Sequence, residues 1–133
     1  MVEWFFAIGI LCALGLALWV EIGQQRSGVV SWPTMGSTRQ VMIAMLRERL
    51  GDAAGQELVD LGSGWGGLAR RMARTFPAAD VTGYEMSGAP YYWSRIVQTI
   101  RPLPNLTFRK QSFFDADMTR VTGIAAYIPS PML

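Results

Sequence analysis

The apolar stretch Glu57–Leu61 carries Asp60 and runs straight into Gly62-Ser63-Gly64-Trp65-Gly66-Gly67, and a second apolar stretch, Val81–Tyr84, ends in Glu85. Glycines in such a turn let the backbone take positive φ and let a ligand approach main-chain N–H groups that a Cβ would block. A helix starting after the turn aims its positive end at the same spot. In a parallel sheet both strand ends open onto one crevice, so the two carboxylates would lie near one ligand. A carboxylate accepts from two vicinal hydroxyls, as a ribose offers, and a gap of roughly 20 residues from the glycines suits one crossover. The spacing therefore fits an adenosine-type cofactor. Two plainer roles stand beside it: Asp60 as a structural turn cap and Glu85 as a solvated charge at a strand end.

Other chemistry is excluded by composition. The 133 residues contain no histidine and a single cysteine, Cys12. Imidazole acid–base catalysis, histidine metal ligands, triads and disulfide or thiolate-zinc frameworks within one chain are thus ruled out. The formal net charge is +2. No cluster of basic and aromatic residues points to nucleic acid.

The elements that must position these residues alternate. Ser37-Thr38-Arg39-Gln40 fits a capping box, opening a helix over residues 38–50 with Gly51 as terminator. Residues 57–61 read as a first strand. Leu68, Met72 and Phe76 then recur every four residues, opposite Arg70, Arg71 and Arg74, in a helix stopping near Pro77. Residues 81–84 form a second strand. Pro90 suits the first turn of a third helix carrying Tyr92, Trp93, Ile96, Val97 and Ile100, ended by Pro102 and Pro104. Residues 106–110 and 124–128 read as two more strands. The pattern predicts an α/β domain: a Rossmann-like parallel sheet sandwiched by helices.

From Trp4 to Val20 the chain has no charged residue. As a helix this run is roughly 25 Å long, close to a hydrocarbon layer of about 30 Å. Trp4 and Trp19 stand at its ends, where amphipathic rings favour the headgroup level, and Glu3 and Glu21 fall outside. A cleaved signal peptide or a buried core helix are the alternatives, but the first lacks its positive start and small cleavage residues, and the second lacks a polar face. Arg26, Arg39, Arg47 and Arg49 follow the run and no Lys or Arg precedes it. The charge bias predicts a single-pass membrane protein with its C-terminal domain cytoplasmic. The expected organisation is an anchor over 1–23, inserted through residues 4–20, a linker over 24–36 and the α/β domain over 37–133.

Gly62, Gly64 and Gly67 also satisfy G-x-G-x-x-G, the dinucleotide pattern. Against it stand the acid before the glycines and the capped helix before the first strand. Val-Asp-Leu-Gly-Ser-Gly-Trp-Gly at 59–66, Gly-Tyr-Glu-Met-Ser at 83–87 and Trp-Pro-Thr at 32–34 together resemble class I S-adenosylmethionine-dependent methyltransferases. More narrowly they resemble small membrane-anchored members related to protein-lysine methyltransferases.

The resemblance implies S-adenosyl-L-methionine as cofactor and a protein amine as methyl acceptor. It implies that Gly62, Ser63, Gly64 and Gly66 bring backbone against the methionine part and that Asp60 holds the amino end. Glu85 would take the ribose hydroxyls and Met86 would line the adenine. Where the family often places an acid for the adenine amine, the aligned residue is Ser112, followed by Phe113, Phe114 and then Asp115. Phe113 and Phe114 read equally well as core. Tyr127-Ile128-Pro129-Ser130-Pro131 falls at the family's acceptor-side motif and equally fits an ordinary loop. Thr34 and Thr38 would lie over the cofactor, or simply begin a helix. No residue stands out as a general base. The family core has seven strands and this domain is expected to be truncated after the fourth, so that either the sequence is a truncated gene product or a partner chain completes the open edge. A catalytically incomplete cofactor-binding or assembly module and a dinucleotide-binding fragment are the other functions the sequence allows.

Overall fold

The computed structural model describes residues 2–27 and 35–127, the side chains of 24–27 excepted. Trp32, Pro33, Thr34 and residues 128–131, singled out above, lie outside the described residues. Helix α1 spans Val2–Ser27, α2 Gly36–Leu50, α3 Gly67–Thr75 and α4 Gly88–Ile100. The strands are β1 Glu57–Leu61, β2 Asp80–Tyr84, β3 Leu106–Arg109 and β4 Val121–Ala126, with a 3₁₀ turn at Phe113–Asp115.

All four strands are parallel, in the order β3-β2-β1-β4. Alternation along the strands turns Leu58, Val81, Leu106, Phe108 and Ala125 to one face, where they meet Ile43 of α2 and Leu68 and Met72 of α3 in a continuous apolar core. On the opposite face Val59 is buried while Ile124 is exposed.

Several boundaries differ from expectation for local reasons. Helix α2 begins at Gly36 with Met35 as its cap residue and no side-chain cap bond, so the capping box at Ser37 does not form. Arg39 N–H instead donates to Met35 carbonyl, which places Ser37 inside the first turn. The helix ends as expected at Gly51, whose φ of 63° accompanies its N–H donating to Arg47 carbonyl. Helix α1 continues through residues 24–27, which the sequence assigns to a linker.

Strand β4 starts at Val121 rather than 124 because the pairing with β1 contains a bulge: Glu57 opposes Val121 while Leu58 opposes Gly123. The intervening Thr122 uses its hydroxyl to donate to Glu57 carbonyl at 3.1 Å. Gly123 leaves room there. A Cβ on it would lie 2.7 Å from Leu58 Cδ2 and 2.8 Å from Leu50 Cδ1, so its absence lets α2 close on the sheet.

Arg70 departs most from its expected role. The four-residue repeat sets it opposite the apolar face, yet it is buried, donating from Nη1 to Gln98 Oε1 at 2.7 Å and from Nη2 to Arg101 carbonyl at 2.6 Å. It ties α3 to the end of α4. Burial holds its guanidinium below the usual arginine range, helped by the charges of Arg74 and Arg101.

Candidate functional site

The C-terminal ends of β1 and β2 deliver Asp60 and Glu85 to the same side of the sheet, Asp60 standing opposite Gly83 in the ladder. Between them the chain makes its turn through three positive-φ glycines, Gly62 at 68°, Gly64 at 52° and Gly66 at 81°. These values favour glycine because an L-residue pays roughly 1–2 kcal/mol in that region.

The three glycines have different surroundings. A Cβ on Gly62 would have nothing within 4 Å, so its backbone faces open space. A Cβ on Gly66 would lie 2.8 Å from the Phe108 ring and 3.0 Å from Ser94 Cβ. Gly66 thus serves close packing of the turn on β3 and α4. In a dinucleotide fingerprint that packing role belongs to the third glycine. Here Gly67 meets only the flexible end of Arg39, and the spacing that works structurally is Gly62, Gly64, Gly66.

Glu85 is only 5% exposed, and its two carboxylate oxygens accept main-chain N–H groups from Gly64 at 2.7 Å and Ser87 at 2.6 Å. It therefore locks the glycine turn to the start of α4. Each oxygen keeps further lone-pair capacity. The turn is held a second time by Ser63 N–H, which donates to Tyr84 carbonyl. The Ser63 side chain is turned in against Gly83, and its hydroxyl oxygen is buried with no partner among the described residues.

Asp60 is 2% exposed, and its Oδ2 likewise has no partner among the described residues. Burial pushes its carboxyl from 3.8 up to about 7; the donating Ala69 N–H opposes this and the nearby Glu85 charge adds to it. A buried acceptor left open beside an unobstructed backbone suits a ligand that brings a donor or a positive charge.

Past Glu85 an open cleft of about 530 Å³ is lined by Met86, Ser87 and Gly88, by Tyr92 and Lys110, and by Trp19, Ile22 and Gly23 of α1. Met86 was expected at this place. Tyr92, Lys110 and the end of α1 were not, although Lys110 follows β3 directly and the strand-end rule would have found it. Trp19 stacks on Tyr92 with ring centres 6.2 Å apart, and Lys110 Nζ lies 5.3 Å from the same ring centre. Ser112 caps the 3₁₀ turn, its hydroxyl accepting from Phe114 N–H at 3.3 Å. Phe113 and Phe114 are not core: Phe114 is 86% exposed and packs on Phe113, which is itself only partly buried.

No family model matches the chain, and no curated protein sequence matches it. Solved structures do. An RNA methyltransferase from Salinibacter ruber in complex with S-adenosyl-L-homocysteine superposes with a TM-score of 0.63 at 24% identity, over 76% of this chain and 63% of that one. Geranyl diphosphate C-methyltransferase from Streptomyces coelicolor A3(2), bound to Mg²⁺, geranyl diphosphate and S-adenosyl-L-homocysteine, gives 0.54 at 26% identity over 68% and 35%. Coclaurine N-methyltransferase, bound to N-methylheliamine and S-adenosyl-L-homocysteine, gives 0.52 at 23% identity over 65% and 25%. The chain thus spans less than two thirds of each of these proteins. The fold is the Rossmann-like fold of S-adenosylmethionine-dependent methyltransferases, with four parallel strands among the described residues.

Proposed function

We propose that the chain binds S-adenosyl-L-methionine along the Gly62–Gly66 turn and the Met86 cleft, as part of a membrane-anchored methyltransferase acting on a protein amine, lysine in particular. The observation that carries the cofactor assignment is the open, buried Asp60 Oδ2 beside the unobstructed backbone of Gly62. Asp60 would hold the amino end of the cofactor. Gly62, Ser63 and Gly64 would supply main chain, and Gly66 would keep the turn pressed on Phe108 and Ser94. Glu85 would add the ribose hydroxyls to the two amides it already holds, Met86 would cover the adenine and Ser112 would stand on the adenine-amine side.

When bound, the cofactor supplies a methyl group already activated on a sulfonium, so the protein's task is alignment, which can be worth ~7–11 kcal/mol. A ligand amine at Asp60 favours its ionised form, and binding should tighten as pH rises through about 7. The acceptor amine would pass its proton to water or a main-chain carbonyl.

Helix α1 has a 22-residue stretch, Val2–Gly23, long and apolar enough to cross a membrane, and it forms the anchor in this reading, with the α/β domain on the cytoplasmic side. The outer edge of β4 pairs with no described strand and leaves Ile124 and Tyr127 exposed. That edge supports a second reading, a cofactor-binding module whose sheet a partner strand completes.

Calorimetric titration with S-adenosyl-L-homocysteine and with NAD tests the site. Binding of the homocysteine nucleoside that weakens at least tenfold in Asp60→Asn and Glu85→Gln is expected. Tight NAD binding with no response to the nucleoside overturns the assignment. Transfer of radiolabelled methyl to membrane proteins separates enzyme from binding module.

A further inference from the structure

We infer that the outer face of α4 is a lipid-contacting surface lying against the same bilayer that holds α1. The inference rests on the anchor reading of α1 above and goes beyond it. Helix α4 runs back along α1. Gly88 lines one cleft with Trp19 and Gly23, Tyr92 stacks on Trp19, and Ile96 shares a small apolar crevice of about 170 Å³ with Leu16 and Trp93. As α4 proceeds from its first to its ninth residue it therefore passes from the end of the apolar run toward its interior. Leu16 lies one turn inside the end of that run at Val20, so a bilayer that encloses Leu16 reaches Trp93 and Ile96 as well.

The composition of the face agrees. Tyr92, Trp93, Ile96 and Ile100 follow one another at helical spacing and are 49–71% exposed, continuous with the exposed apolar side chains of α1. Soluble surfaces seldom expose so many large apolar groups together. From Met86 to Phe114 there is no Asp or Glu, while Arg95, Arg101, Arg109 and Lys110 are all exposed. An apolar aromatic face whose own helix and following strand carry only cations fits the headgroup–acyl boundary of a membrane containing anionic lipid. Because Tyr92 and Lys110 also line the cleft beside Met86, the cofactor cleft would open next to the membrane surface.

The test uses the full chain in phosphatidylcholine–phosphatidylglycerol nanodiscs, with Cys12→Ser and a single nitroxide-labelled cysteine at Ile96, Ile100, Leu11 or Thr119. Collision with oxygen, which dissolves in lipid, is compared with collision with a water-soluble nickel chelate. The expected oxygen-to-nickel ratio at Ile96 and Ile100 is several-fold above that at Thr119, beside the opposite sheet edge, and approaches that at Leu11. A Thr119-like ratio at Ile96 and Ile100 with a lipid-like Leu11 overturns the inference and leaves the anchor standing. A water-like Leu11 overturns both. Protection from both reagents with spin–spin broadening assigns the face to a second copy of the chain and also overturns the inference. Photo-cross-linking of the unmutated chain by a diazirine lipid, read over residues 92–101, needs no substitution: labelling there supports the inference and its absence, with α1 labelled, overturns it.

Discussion

Helices α3 and α4 cover adjacent strands and carry large apolar residues at the same four-residue spacing, yet their fates are opposite. Leu68, Met72 and Phe76 are at most 3% exposed, whereas Tyr92, Ile96 and Ile100 on α4 are 49–71% exposed. Helix α3 sits over the middle of the sheet between α2 and α4, so its apolar side is enclosed. Helix α4 buries small groups instead, Ala89, Pro90 and Ser94, and leaves its large ones outside. Periodicity identifies a face; neighbours decide what covers it.

The largest expected effect tests the enclosed side. Phe76→Ala should cost about 3–5 kcal/mol in urea titrations in mild detergent, because a fully buried ring leaves a cavity. A loss under 1 kcal/mol would mean that α3 is no better sealed than α4.

Asp60 lies under α3, and its raised carboxyl gives a signed pH effect. Its folded value is about 7 against an ordinary 3.8, so the folded chain holds an extra proton between those limits. This group's contribution is most favourable below about pH 4, falls as pH climbs to 7 and is flat above it. Relative to Asp60→Asn, the wild type should lose up to about 4 kcal/mol between pH 4 and 7.5, as about 3 units at 1.36 kcal/mol each. Parallel stability curves for the two proteins would contradict the burial of this carboxylate.

Within the turn, Gly66→Ala should cost about 2–4 kcal/mol, combining overpacking against Phe108 with left-handed strain. Gly62→Ala should cost about 1–2 kcal/mol, strain alone, while weakening nucleoside binding more than Gly66→Ala does in any molecules that stay folded. Equal stability losses would remove the distinction between the packed and the open glycine. The smallest effect belongs to α4: Ile100→Ala should stay within about 0.5 kcal/mol in detergent. A loss near that of Phe76→Ala would show that the α4 face is covered after all.

Much of this was legible beforehand. The glycine turn, β1, α3 and the order of elements follow from short-range signals: strand residues meeting positive-φ glycines, and a four-residue apolar repeat stopped by Pro77. The misreadings were of environment. Ser37 looked like a cap, but the chain turned helical at Gly36. Arg70 looked solvated because its neighbours Arg71 and Arg74 are, yet Gln98 and the Arg101 carbonyl draw it inward. Phe113 and Phe114 look like core residues by type, and Phe114 stands in solvent.

The amino-acid sequence by itself determined the strand and helix order, the uncharged run of α1 and the positions of Asp60 and Glu85, because these depend on residues within a turn or two of one another. Only the tertiary structure decided that Glu85 is bound to Gly64 across 21 residues, that Arg70 joins Gln98 across 28, and that α4 runs along α1 with its large apolar residues still exposed. Burial and hydrogen-bond partnership depend on which distant segments meet, and no local pattern of residue types records that.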